Sequence, residues 1–207
     1  MKNIKYFIFF YSIFLFGVAH GGTDYELKES RKCSSIFYYF EKKYKLPTNS
    51  LHSISLHETA KKHSYHDISL VWPWTVMNNK LGKSYHFRNR QEAINYVRAQ
   101  FKVGNNNLDV GCMQINLKHH PDAFKSLDQA FAPNLNVAYG AYFLSENLKK
   151  LGSIDKAIGR YHSATGHLAQ KYHLRVSKIN EDMRQYKYNL KRYVTANSQK
   201  RNARDHY

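Results

Sequence analysis

The apolar positions of this chain recur mostly every three or four residues, the period of helices with one buried face. Cys33, Phe37, Phe40 and Tyr44 keep that spacing, and Leu46-Pro47 ends the segment, since the residue before a proline disfavours the helical region. Pro47, with Thr48 and Asn49 as candidate caps, introduces a second helix on which Leu51 and Ile54 are apolar. Glu58 follows Leu51 by seven residues and Ile54 by four, so it continues the same inward stripe before the helix frays by His63. Further on, Asn89 with Glu92 three residues later predicts a capped helix to about Lys102. Short helical turns are expected between Asp122 and Phe131, with Ser126 as a cap. Asn136, read as a cap rather than a ligand, opens the clearest helix. There Val137, Ala141, Leu144, Leu148 and Leu151 hold a 4-3-4-3 spacing and Gly152 is the stop. Ser153 caps a last core helix bearing Ile154, Ala157, Ile158 and Tyr161.

The period changes once. From Val71 to Phe87 apolar and polar residues alternate, with Trp72, Trp74 and Val76 on the way out and Tyr85 and Phe87 on the return. Asn78 to Gly82 supplies turn chemistry between them, so the segment reads as a hairpin. The pattern as a whole predicts a mostly α protein with a small β-hairpin insertion.

The two ends of the chain change this picture. Lys2 and Lys5 precede a continuous apolar run from Tyr6 to Val18, and Ala19-His20-Gly21 places small residues where a signal peptidase needs them. Residues 1–21 therefore read as a secretory leader, too short in its apolar part for a comfortable membrane span of about 20 residues. The expected location is outside the cytoplasm. The formal charge is +17, or +15 without the leader, which draws a secreted protein toward polyanions but specifies no chemistry. Residues 22–177 are expected to form the domain, and 178–207 a basic extension in which apolar content thins. From Lys171 to Tyr207 there are ten Lys or Arg against three Asp or Glu.

Two cysteines remain, Cys33 and Cys112. An oxidising compartment permits a bridge between them worth roughly 4 kcal/mol in the chain-entropy model; two buried thiols are the other reading.

A carboxylate on an apolar stripe is unusual because burying it ionised is costly. Partial desolvation would raise the pKa of Glu58 into the range of a general acid. His57-Glu58 begins like the zinc motif HExxH, but position 61 is Lys and His63 comes too late for the same face. A nucleic-acid module would need basic residues interleaved with aromatics in one element, and only residues 184–193 approach that, outside the domain.

Four segments, in order, resemble the goose-lysozyme-like lytic transglycosylases of the SLT (soluble lytic murein transglycosylase) domain family, in one proteobacterial branch. They are Glu58-Thr59; Gly111-Cys112-Met113-Gln114-Ile115; Asn136-Val137 with Gly140 and Leu144; and Ala157 through Tyr161-His162-Ser163. The likeness covers about residues 33–177. It implies a lysozyme-like fold of two lobes that cuts the MurNAc-β-1,4-GlcNAc bond of peptidoglycan and leaves 1,6-anhydro-MurNAc ends. Glu58 would be the general acid and base, with Gln114 and Met113 lining sugar sites and Tyr161 holding Glu58. Cys112 in place of the usual Leu fits a disulfide to Cys33, and Thr59 for Ser keeps a hydroxyl. His162, where the family has Asn, has no assigned contact. Trp72, Trp74 and Tyr85 could stack on sugars but more readily build the hairpin's own core. The resemblance implies no metal or organic cofactor, a periplasmic location in contact with the cell wall, a monomer acting on glycan strands rather than nucleic acid, and room for a partner in a cell-envelope machine. Two other outcomes stay open. A second carboxylate, Asp109 or Asp67, would make the protein a hydrolytic muramidase, and loss of catalysis would leave a wall-binding protein.

Overall fold

The computed structural model describes the backbone of residues 19–204 and the side chains of residues 25–186. The expected leader therefore lies, up to residue 18, outside the described residues, as do the side chains of the basic extension beyond residue 186. Among the described residues, no helix is long and apolar enough to cross a membrane.

Helices dominate. The first three are α1 (Ala19–Ser34), α2 (Phe37–Lys43) and α3 (Ser50–Thr59). Asn49 does precede α3, but in the left-handed region at φ 68° and without a side-chain cap bond. The cap comes from another helix: the buried Glu41 carboxylate on α2 accepts the Asn49 and Leu51 N–H groups, each at 3.0 Å. A carboxylate at a helix N-terminus satisfies donors that would otherwise be orphaned and complements the dipole. α3 stops at Thr59 rather than fraying to His63, because the chain turns at once into β1 (Lys61–Lys62), paired with β2 (Ser69–Leu70).

The hairpin forms, but shorter than the alternation predicts, from β3 (Thr75–Asn78) and β4 (Lys83–His86). Trp72 and Trp74 precede it. The Trp72 N–H donates to Thr59 Oγ1 at 3.1 Å, which ties the segment to α3 instead of a strand ladder. Two strands not expected, β5 (Leu108–Val110) and β6 (Ile115–Asn116), extend the sheet to the order β4-β3-β5-β6. Runs of two or three residues between polar loops carry too little alternation to be seen in a sequence.

α4 (Arg90–Lys102) lies between β4 and β5, capped as expected by Asn89, which accepts the Glu92 N–H at 3.0 Å. Ser126 likewise caps α5 (Leu127–Ala130), and Ser153 caps α7 (Ile154–His162). α6 runs from Pro133 to Leu151, so Asn136 sits inside it rather than capping it; Gly152 at φ 65° ends it. α8 (Gly166–Arg204) is one helix that passes residue 178 without a break.

Burial divides into two clusters. One gathers Phe37, Leu51, Ile54, Leu144, Ile158, Tyr172 and Val176 from α2, α3, α6, α7 and α8, with Met113 from the turn between β5 and β6. The other joins Trp72, Trp74, Val76, Ile94, Leu108 and Phe131 around the sheet and α4. The described residues thus adopt the mostly α arrangement with a small β-hairpin that the sequence predicts, with the core in two clusters.

Candidate active site

Glu58 occupies the last turn of α3, where the helix leaves the first cluster. Leu51 and Ile54 below it are fully buried. Glu58 itself is only partly so, and it reaches the wall of a cavity of about 660 Å³. Asn79 and Asn107, beside the sheet, and Asp109 and Asn116, on it, also line this cavity, and α7 contributes Tyr161 and His162. The stripe that fills the core with Leu51 and Ile54 thus delivers a carboxylate to the cleft one turn later.

Desolvation by burial raises the Glu58 pKa to about 7, a hydrogen bond from Tyr172 opposes this, and the negative charge of Asp109 adds to it. Tyr172 Oη donates to Glu58 Oε1 at 2.6 Å. Tyr172, on α8, is 3 % exposed and packed between two histidines. The His162 ring stacks on it at 4.6 Å with parallel planes, and His57 meets it edge-on at 4.9 Å. Burial lowers the pKa of both histidines, so neither places a full positive charge beside Glu58 at neutral pH.

The position expected to hold Glu58 does something else. Tyr161 Oη donates to the Met113 carbonyl at 2.8 Å. It still feels Glu58, because burial and then the nearby carboxylates push its pKa well above the ordinary value. The residue that grips Glu58, Tyr172, was not singled out from the sequence. Its one available signal was its place four residues before Val176 on an apolar helix face, which reads only as core.

Gly111 to Gln114 forms a turn held from three helices. The Cys112 carbonyl accepts Ser55 Oγ of α3 at 2.7 Å, and the Met113 carbonyl accepts Tyr161 of α7. Asn136 of α6, fully buried, accepts the Met113 N–H at 2.8 Å and donates to the Val110 and Ala130 carbonyls at 3.0 and 2.9 Å. Gly111 has φ 79°, and a Cβ there would lie 2.5 Å from Asn136 Nδ2. Cys112 is bonded to Cys33 of α1, which ties the same turn to the first helix.

Met113 does not line the cavity. Its side chain is 0 % exposed, packed under Gly140, where a Cβ would come within 2.8 Å of it. Gln114 does line it. Its Nε2 donates to the Thr75 and Gly111 carbonyls at 3.1 and 2.9 Å, while its buried Oε1 has no protein partner. That leaves one fixed acceptor for a ligand donor.

Of the two candidate second carboxylates, Asp67 is fully exposed near Lys62 and lines no part of this cavity. Asp109 does line it. Asn79 and Asn116 amides donate to its two oxygens at 2.9 and 2.5 Å, and burial raises its pKa against those bonds. Trp72 and Trp74 are buried, with indole N–H groups on the Phe87 carbonyl and Glu29 at 2.7 and 2.6 Å, so neither offers a face to a sugar. Tyr85 packs on Tyr96 at 4.9 Å.

No curated protein and no solved structure matches the chain. A family model does: residues 89–183 match the transglycosylase SLT domain. That stretch holds Asp109, Gln114, Tyr161 and Tyr172 and begins downstream of Glu58, which the structure brings to the same cavity. Over this stretch, residues 89–183, the chain is similar to the transglycosylase SLT domain family.

Proposed function

We propose that this protein cleaves the MurNAc-β-1,4-GlcNAc bond of peptidoglycan without water, leaving 1,6-anhydro-MurNAc ends. Similarity to the SLT domain family supports the substrate class. The observation that carries the mechanism is the Glu58 carboxylate, its pKa raised to about 7, gripped by a tyrosine at the wall of a polar cleft. Such a group is protonated often enough to deliver a proton to the leaving oxygen and basic enough to take one afterwards. Glu58 would protonate the glycosidic oxygen while the muramoyl N-acetyl group supports the developing charge at C1. It would then accept the proton of the C6 hydroxyl as that oxygen closes on C1. The Gln114 acceptor suits an acetamide N–H or a sugar hydroxyl.

A second reading, the hydrolytic muramidase, is favoured by one observation, that Asp109 faces the same cavity. Both its oxygens accept amide donors from its own sheet, which suits a wall group better than a base for water. Mass spectrometry of soluble products from purified peptidoglycan separates the two. Ends lighter by one water support the transglycosylase, and reducing muramic ends would replace it with the muramidase. Glu58→Gln is expected to lose at least about 100-fold in rate while folding normally; near-normal turnover would remove Glu58 from the mechanism.

A further inference from the structure

Helices α7 and α8 come unusually close beside the Glu58 cavity. A Cβ on Gly159 of α7 would stand 2.8 Å from the Ala169 carbonyl of α8. With the helices this near, His162, the last residue of α7, lays its ring parallel to the Tyr172 ring, 4.6 Å between centroids. Parallel rings at that separation are in offset-stacked contact. His57 of α3 meets the same phenol ring edge-on at 4.9 Å, so Tyr172 is braced from two helices. His162 is exposed and lines the Glu58 cavity, whereas Tyr172 is buried and does not line it. The imidazole therefore stands between the phenol ring and the cavity.

A tyrosine hydroxyl stays on its acceptor only while the ring is held, because the oxygen lies at the far end of both side-chain torsions. Charge on His162 adds little to this. Burial lowers its pKa below the usual 6.5, Asp109 of β5 opposes that, and Arg175 of α8 lowers it further. The imidazole is thus neutral where Glu58, at about 7, titrates. Around Glu58, burial raises the pKa, Tyr172 of α8 holds it down and Asp109 raises it; Tyr161 of α7 feels the same carboxylates, and His57 has its own pKa lowered by burial. The family this chain resembles carries asparagine in place of His162, and an amide cannot stack as a ring does.

We infer that His162 is a positioning residue, whose ring holds Tyr172 so that the phenol hydroxyl stays on Glu58 Oε1. The inference rests on Glu58 being the group that gives and takes the proton. His162→Ala should lower kcat on peptidoglycan strands about tenfold, the worth of one hydrogen bond to a carboxylate, with KM little changed. The Glu58 limb of the pH–rate profile should move to higher pH, because a bond that favours the carboxylate is weakened. His162→Phe keeps a flat ring without the nitrogens and should restore both, while His162→Asn should restore neither. Rescue by Asn and not by Phe, or a raised KM at unchanged kcat, would overturn the inference and make His162 a ligand for the sugar. In the Tyr172→Phe protein, His162→Ala should move the limb no further. A shift that persists there, or one to lower pH as water reaches Glu58, would also overturn it. Carbon-13 NMR of the Glu58 carboxyl reads the same shift without turnover. A carboxyl that titrates higher in His162→Ala, in a protein that still cuts strands as Glu58→Gln, would uphold the positioning and overturn the proposed function. An unmoved carboxyl with Glu58→Gln inactive would do the reverse.

Discussion

At Glu58 the burial that suits the reaction also opposes folding. Its pKa rises from 4.5 to about 7 in the folded protein. The folded state thus holds a proton that the unfolded state has released between those values, and stability falls as pH climbs through that window. Glu58→Gln removes the penalty. It should melt a few degrees above the wild type at pH 8 and together with it at pH 4, as read by calorimetry. Equal melting temperatures at both pH values would mean that the carboxyl is better solvated than its surroundings imply. Tyr172 works in the opposite direction, since its hydrogen bond favours the charged carboxylate. Tyr172→Phe is therefore expected to move the Glu58 limb of the pH–rate profile to higher pH. A purely structural role for this hydroxyl would lower the rate without moving the limb.

Among the elements, the turn from Gly111 to Gln114 depends most on its neighbours. Gly111 is needed twice, for its positive φ and for the approach of Asn136. The motif resemblance marks glycine there, but the second reason exists only once α6 is packed against the turn. Asn136 itself reads as a cap in the sequence, because asparagine before an apolar run usually is one. In the fold it holds three backbone groups of the turn and its surroundings, all on buried residues. Asn136→Ala should cost about 3 kcal/mol in chemical denaturation; a loss under about 1 kcal/mol would show that the turn holds without it. Glu41 gives the same lesson at the start of α3. Its cap bonds join residues eight and ten positions away, outside the local windows in which caps are sought.

In the whole molecule, α1 is joined to the body by several links distant in sequence, and two of them give separate tests. One is the Cys33–Cys112 disulfide, which closes a 79-residue separation. The other is Glu26, held by Lys61 and Ser64. Burial alone would raise the Glu26 pKa, but the Lys61 and Ser64 hydrogen bonds carry it down to about 2. A depressed carboxyl contributes stability above its unfolded value of 4.5 and loses it as pH falls toward 2. The destabilisation caused by Glu26→Gln should therefore be present at pH 7 and vanish near pH 2. Replacing both cysteines by serine should cost roughly 4 kcal/mol at any pH where the domain folds. A pH-independent Glu26→Gln effect would mean that the side chain acts by packing alone.

The sequence by itself determined the helices with long apolar stripes, the Asn89, Ser126 and Ser153 caps, the Gly152 stop and the hairpin. Each is written in periods of two to four residues, or in one residue beside its own backbone. It also placed Glu58 on the stripe that leads into the cleft. Which partner each side chain would meet was decided by tertiary structure. Tyr161 and Tyr172 both lie on apolar helix faces, and only the packing of α7 and α8 sends one hydroxyl to a carbonyl and the other to Glu58. Met113 and Gln114 are adjacent in a turn, and the turn's dihedrals seal one in the core and leave the other at the cavity wall. Local periodicity fixes which face is buried. The pairing of buried groups is a property of elements far apart in the chain.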